Sequence, residues 1–234
     1  MLASASGNRR AWLVVVVACL VLLLMALSAR AETLVYDGGV SAATAAVTSD
    51  RDPVNAAGIA QKVCDDFTAG AGAHTVTDVE WKGLYGALGQ TAASETFSPA
   101  DEFSIVFYDD DAGMPGNVIS QYHPRQVTRT LLDNGAWSYR YSLPNPLELK
   151  PGRRYHVAIA NNLPGSAYWC WSQDDSFGAN HSAPTGSSDW IRWPGNCALR
   201  LSYTERAVEA SAKLPMLLIG LIASCAFGLH RYVL

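Results

Sequence analysis

The strongest constraint on this chain is an alternation of apolar and polar residues with a period of two, recurring from Gln61 onward. In "FSIVFYDD" it sets Phe103, Ile105 and Phe107 on one side. In "AWSYRYSL" Trp137, Tyr139, Tyr141 and Leu143 face one way, and Ser138, Arg140 and Ser142 the other. "RRYHVAIA" repeats the pattern with Tyr155, Val157 and Ile159, and "CALRLSY" with Cys197, Leu199, Leu201 and Tyr203. Successive side chains of a strand point to opposite faces, so the pattern specifies strands with one dry and one wet face; a helix repeats near 3.6. His156 falls on the wet side of its segment and reads as solvated. Turn signals in "DDDAGMPGN", "LDNGAW", "LKPGRR" and "NNLPGS" separate the segments. About nine or ten short strands and no amphipathic helix predict an all-β fold, an antiparallel β-sandwich of jelly-roll-like kind.

The two ends are of another character. Arg9 and Arg10 precede the uncharged apolar run "AWLVVVVACLVLLLMAL", and "ARA" at Ala29 to Ala31 supplies small residues at −3 and −1 of a signal peptidase site. Residues 1–31 therefore read as an export signal cleaved before Glu32, with an uncleaved anchor as the alternative. At the other end "LPMLLIGLIASCAFGL", Leu214 to Leu229, carries no charge and is followed by His230 and Arg231. As a helix these residues reach about 24 Å, and Tyr232 to Leu234 with snorkelling flanks make up the distance across a bilayer. A core helix would show a polar face; this one has none, so 214–234 is expected to hold the protein in a membrane as a transmembrane or sorting tail. Between the ends lie a domain over 32–203, whose first part (32–60) is a strand and a small-residue loop, and a charged linker over 204–213.

Removing Arg9, Arg10 and Arg30 with the signal takes the 17 Lys and Arg down to 14 against 21 Asp and Glu, a net charge of −7. That balance argues against nucleic acid as a partner and against adsorption to anionic lipid by charge. Export also implies an oxidising compartment. Cys19 leaves with the signal and Cys225 lies in the tail, which leaves Cys64, Cys170 and Cys197. Cys170 and Cys197 sit in strand-like segments joined by one loop and are expected to pair as a disulfide, with Cys64 a small buried hydrophobe. No CxxC or Cys/His cluster points to zinc.

The order "VCDDFTAGAGAHTVTDVEWKGLY", "FSIVFYDDDAGMPGNVISQY", "AWSYRYSLPNPLELKPGRRYHVAIAN" and "YWCWSQ" resembles a bacterial extracellular β-sandwich domain. That domain is typical of surface proteins with PEP-CTERM-type, choice-of-anchor tails. The likeness covers about Val35 to Tyr203 and implies a sandwich fold and a place at the cell surface. The tail departs from it: "KLP" stands where Pro-Glu-Pro is usual, and only His230 and Arg231 form the basic end.

Candidate sites follow from side-chain chemistry. "YWCWSQDDSFGANHSAPTGSSDWIRWPGNC", Tyr168 to Cys197, holds Trp169, Trp171, Trp190 and Trp193. Exposed indoles stack on the apolar faces of sugars, with Gln173, Asp174, Asp175 and Asn180 as a polar rim. Trp169 and Trp171 share one strand face and fit core packing as well; Trp190 and Trp193, in a Gly/Ser/Pro-rich stretch, are the better binding candidates. Asp109 and Asp111 form a D-x-D-x-G arrangement that offers calcium hard oxygens but lacks the later ligands of an EF-hand, so a plain turn competes with it. The pairs Asp65–Asp66 and Asp174–Asp175 invite a glycosidase reading, whose carboxylate spacing no sequence specifies. "NHS" at Asn180 to Ser182 is a glycosylation sequon. No G-x-S-x-G, H-E-x-x-H or P-loop occurs. The expectation is an exported, membrane-anchored, non-enzymatic cell-surface or envelope module, possible partners being extracellular polysaccharide or envelope proteins. The alternative is a lectin-like glycan binder, with a hydrolase behind it.

Overall fold

The computed structural model describes residues 32–39, 45–51, 60–72, 74–87, 101–162, 167–174 and 178–204. The export signal, most of the charged linker and the apolar tail lie outside the described residues, as does Asp175. Within them the chain is all-β, and Thr33–Tyr203 forms one compact unit.

Thirteen strands are described: β1 (Glu32–Asp37), β2 (Ala46–Thr48), β3 (Gln61–Thr68), β4 (Thr75–Ala87), β5 (Ser104–Asp111), β6 (Met114–Tyr122), β7 (Thr128–Leu131), β8 (Trp137–Glu148), β9 (Arg154–Ala160), β10 (Ala167–Ser172), β11 (Ala179–Pro184), β12 (Ile191–Pro194) and β13 (Leu199–Thr204). The excess over the nine or ten expected comes from short pieces such as β2 and β12, too brief to show a period.

They form two antiparallel sheets. In the first, β4 is the spine. Residues Asp78 to Trp81 pair with β8 and with β13, and Gly83 pairs with both β8 and β10, so β13 and β10 follow one another along one edge while β8 takes the other. The second sheet runs β12-β11-β3-β9-β5-β6. At the tip of the β5–β6 hairpin, Ala112 and Gly113 are both left-handed (φ 53° and 88°). Two residues of positive φ match the right-handed twist of the flanking strands, the geometry of a type I′ turn.

The period-two reading holds in the core. Phe103, Ile105, Phe107, Tyr155, Val157, Ile159, Cys197, Leu199 and Leu201 are all buried, with Trp137, Tyr141 and Tyr203 packed at its margin. Phe103 meets Trp81, Tyr139 and Trp169 edge-on, at centroid distances of 5.2, 5.0 and 5.1 Å. Trp81 and Tyr139, cross-strand partners, stack at 5.3 Å. Gly83 makes room for this cluster, since a Cβ there would lie 2.3 Å from the Trp169 ring.

Polar groups join the sheets at one end. Ser49 Oγ donates to the Ile159 carbonyl (2.6 Å) and accepts from Val63 N–H (2.9 Å); Asp50 Oδ2 accepts from Trp169 N–H (3.0 Å). Asp50 also forms a parallel bridge with Asn161, whose Oδ1 accepts from Glu102 N–H and Asn162 N–H at 2.9 Å each. Phe103→Ala is expected to cost about 3–5 kcal/mol by emptying the middle of the ring cluster. Gly83→Ala should cost about 1–3 kcal/mol by forcing Trp169 off its rotamer. Urea unfolding of both variants checks the two values.

Candidate functional site

Where β2 of one sheet approaches β11 and β12 of the other, the sandwich has an open mouth. A cleft of about 370 Å³ lies there, lined by Ala46, Val47, Gln61, Gln173, Asn180, Ser182, Trp193 and Pro194. No lining residue is charged. β11 is buried along most of its length, whereas all four residues of β12 are exposed, so Trp193 stands at the rim with 48% of its surface in water. Its register partner is Asn180, and its indole N–H donates to Ser182 Oγ at 2.9 Å, which fixes the ring plane. Gln61 Nε2 donates to the Thr48 carbonyl (2.7 Å) and Asn180 Nδ2 to the Gly195 carbonyl (2.9 Å). The cleft thus combines one anchored aromatic face with amide and hydroxyl groups held by their own hydrogen bonds.

The structure sorts the four tryptophans into three environments. Trp169 and Trp171 are fully buried between the sheets and are core residues, not ligand contacts. Trp171 Nε1 donates to the Ala198 carbonyl at 3.1 Å, which satisfies its polar edge. Trp190 is also not a free platform. It packs edge-on against Tyr108 at 5.6 Å, Lys62 Nζ stands 4.6 Å over its ring, and it covers a small cluster of Cys64, Tyr108 and Ala158. That cluster lies on the outer face of the second sheet, opposite the inner-facing Asn180 beside Trp193, so the two indoles do not act together. Of the expected rim, Gln173 and Asn180 line the cleft, while Asp174 is buried behind it. Asn180 is itself fully buried with its amide nitrogen engaged, so the sequon is closed to a glycosyl donor.

The expected disulfide is not formed: Cys64, Cys170 and Cys197 are free and buried. Gln173 lies opposite Cys197, so Cys197 shares a sheet face with Trp171 and Trp169. Cys170 is one residue out of phase and points the other way, its Sγ 3.6 Å from Thr48 Oγ1. Burial pushes the Cys170 thiol up to about 11 and raises that of Cys197 well above its ordinary range. Adding reductant should therefore leave the thermal unfolding midpoint of the chain unchanged; a fall of several degrees would show a bridge (loss of one costs about 2–5 kcal/mol).

The same alternation separates the first acidic pair. Asp65 points inward and is fully buried, whereas Asp66 points outward, 3.6 Å from Arg154. Asp109 sits on the β5–β6 hairpin, where both its carboxylate oxygens accept from Asn117, and Asp111 is exposed at the hairpin tip. No set of three His, Cys, Asp or Glu side chains converges as a metal cluster among the described residues.

His156 is not solvated. It is fully buried on the outer face of the second sheet, its Nε2 2.9 Å from Asp110 Oδ1 and its ring edge-on to His181 at 5.3 Å. The β5–β6 hairpin supplies Asp110, and Trp190 arrives from the loop before β12, so the polar-looking face is covered by segments distant in sequence. Neither ring nitrogen of His181 has a partner of hydrogen-bond geometry, although the Gly113 backbone stands near it. Burial lowers the pKa of both rings, and His156 further disfavours the charge of His181; the pull of Asp110 on His156 and of Asp66 on both acts against it. A folded-state pKa below 6.5 gives stability that is present above pH 6.5 and lost as the pH falls below it. Acidification from about pH 7.5 to 5.5 should thus lower the unfolding midpoint of the wild-type chain more than that of a His181→Gln variant, as thermal circular dichroism would record.

No family model matches the chain, and no curated protein matches it. The class it belongs to is defined by architecture: an all-β domain of two antiparallel sheets with an uncharged aromatic cleft at one open edge.

Proposed function

We propose that this chain is an exported, membrane-anchored, non-enzymatic module of the cell surface that binds a neutral glycan in the Trp193 cleft. The observation that carries the reading is Trp193 itself: half-exposed on an edge strand, locked by Ser182, and facing a cleft whose polar lining is amide and hydroxyl only. An exposed indole forgoes the stabilisation of burial, and a sugar's apolar C–H face recovers it by stacking. The amides of Gln61 and Gln173 and the Ser182 hydroxyl suit sugar hydroxyls, and the absence of charge in the lining favours neutral hexoses over uronates or phosphates. The volume matches one or two sugar rings on the scale of small-ligand sites.

Export and anchoring rest on the apolar ends of the sequence and on its likeness to PEP-CTERM-type surface domains. The Asp65–Asp66 pair does not favour a hydrolase, because its carboxylates face opposite sides of one sheet.

Titrating the full chain with neutral polysaccharides, followed by tryptophan emission, tests the proposal. A saturable shift is expected, weakened about tenfold or more in Trp193→Ala and retained in Trp190→Phe. A Trp193→Ala variant that responds like the wild type, or no response to any glycan, would refute it.

A further inference from the structure

Behind Asn180, on the side away from the cleft, lies a group of buried oxygens that the glycan reading does not use. Asp65, from β3, is fully buried; its Oδ2 accepts from Cys197 N–H at 3.2 Å, while Oδ1 has no partner. No Lys, Arg or His among the described residues pairs with it. Directly opposite on β11 and on the same sheet face stands Asn180, also fully buried. Because Asn180 Nδ2 is committed to the Gly195 carbonyl, the oxygen turned from it is an acceptor, and it too is unpartnered. Reversing the amide gains nothing, since its oxygen would then confront the Gly195 carbonyl. A carboxylate oxygen and an amide oxygen therefore lie on neighbouring strands without a partner of hydrogen-bond geometry, although the Asp66 N–H stands near the carboxylate, an arrangement that costs free energy unless something positive is held there.

Asp174 belongs to the same region. Its N–H donates to the Asn196 carbonyl at 3.0 Å, next to the Cys197 N–H that binds Asp65. Its charge acts on Asp65, and both raise the pKa of the Tyr36 hydroxyl after burial has done so. Gly39, at φ 89°, lets the chain close over it: a Cβ there would lie 2.6 Å from Asp174 Oδ2.

We infer that Asp65, Asp174 and the Asn180 side-chain oxygen form a binding site for one calcium ion at the base of the sandwich mouth. Hard oxygen ligands of mixed charge, two carboxylates and an amide with further places for carbonyls or water, suit calcium better than zinc, which seeks His and Cys. The cation supplies the missing partner of Asp65 and holds β3, β11 and the segment after β10 together. The competing occupant is a proton on Asp65, its O–H donating to Asn180. This inference does not rest on the glycan reading, because cation binding is read without sugar.

The test is thermal unfolding of the full chain in calcium and in chelator, together with terbium luminescence excited through the protein's aromatic residues. Calcium is expected to raise the unfolding midpoint by about 5 °C or more at a hundredfold excess over half-saturation, and terbium to give a saturable signal that calcium displaces. Asp65→Asn should lose both effects while keeping its far-ultraviolet spectrum, because an amide there donates to Asn180 and satisfies the pair. Should that variant fail to fold, Asn180→Ala, which keeps both carboxylates, serves instead and should weaken calcium binding about tenfold. Asp109→Asn should respond like the wild type. An unfolding midpoint indifferent to calcium and chelator, a response that survives in both Asp65→Asn and Asn180→Ala, or one abolished by Asp109→Asn would overturn the assignment.

Discussion

Everything else in this domain depends on Phe103 standing edge-on among Trp81, Tyr139 and Trp169. Three of these rings belong to the first sheet, and Phe103 comes from the residue just before β5 of the second. The contact is thus the place where the two sheets are fastened face to face. Edge-on rings gain from the attraction of a positive ring edge for a negative face, in addition to the area they bury. The cluster also dictates local sequence. Gly83 has no side chain because Trp169 occupies its space, and Asp50 and Ser49 hold the backbone of β10 so that Trp169 lies in register.

That fastening has an unusual companion. The interior between the sheets is apolar in its middle and polar at its margins, with Ser49, Asp50 and Asn161 near Trp169 and with Asp65 and Asn180 near the mouth. In the first group Ser49 Oγ, Asp50 Oδ2 and Asn161 Oδ1 all meet backbone groups, only Asn161 Nδ2 of its buried side-chain atoms is left without a partner, and the group acts as a structural joint. The second is not satisfied in this way, and buried acceptors without donors mark a place where the fold is completed by something other than its own side chains. The aromatic cleft opens beside this second group, and Asn180 is common to both: it lines the cleft, and it is the cross-strand partner of Asp65.

Much of the architecture was legible in the sequence because strand alternation records burial directly. Phe103, Ile105 and Phe107, or Tyr155, Val157 and Ile159, are assigned to the interior by parity alone, and the structure agrees. The site was legible only in part. Parity alone already places Trp169 and Trp171 together, yet does not say whether their face is dry. It could also have argued against the Cys170–Cys197 bridge, had the pairing of Gln173 with Cys197 been known. Trp190 and Trp193 look alike in sequence, and only the path of the chain puts one over Cys64 and the other at the mouth. His156 reads as solvated because its neighbours of equal parity, Arg154 and Ala158, give no sign that a hairpin and a loop will cover them.

The sequence by itself therefore determined the strands, their inward faces and the all-β class, since those follow from local periodicity and from water's exclusion of apolar side chains. Tertiary structure alone decided which tryptophan meets solvent, which carboxylate lies buried with no cationic side chain paired to it among the described residues, and which cysteines face apart. Those properties depend on contacts between residues more than a hundred positions apart, such as Cys197 with Asp65 or Cys170 with Thr48. No local pattern encodes the register that brings such pairs together.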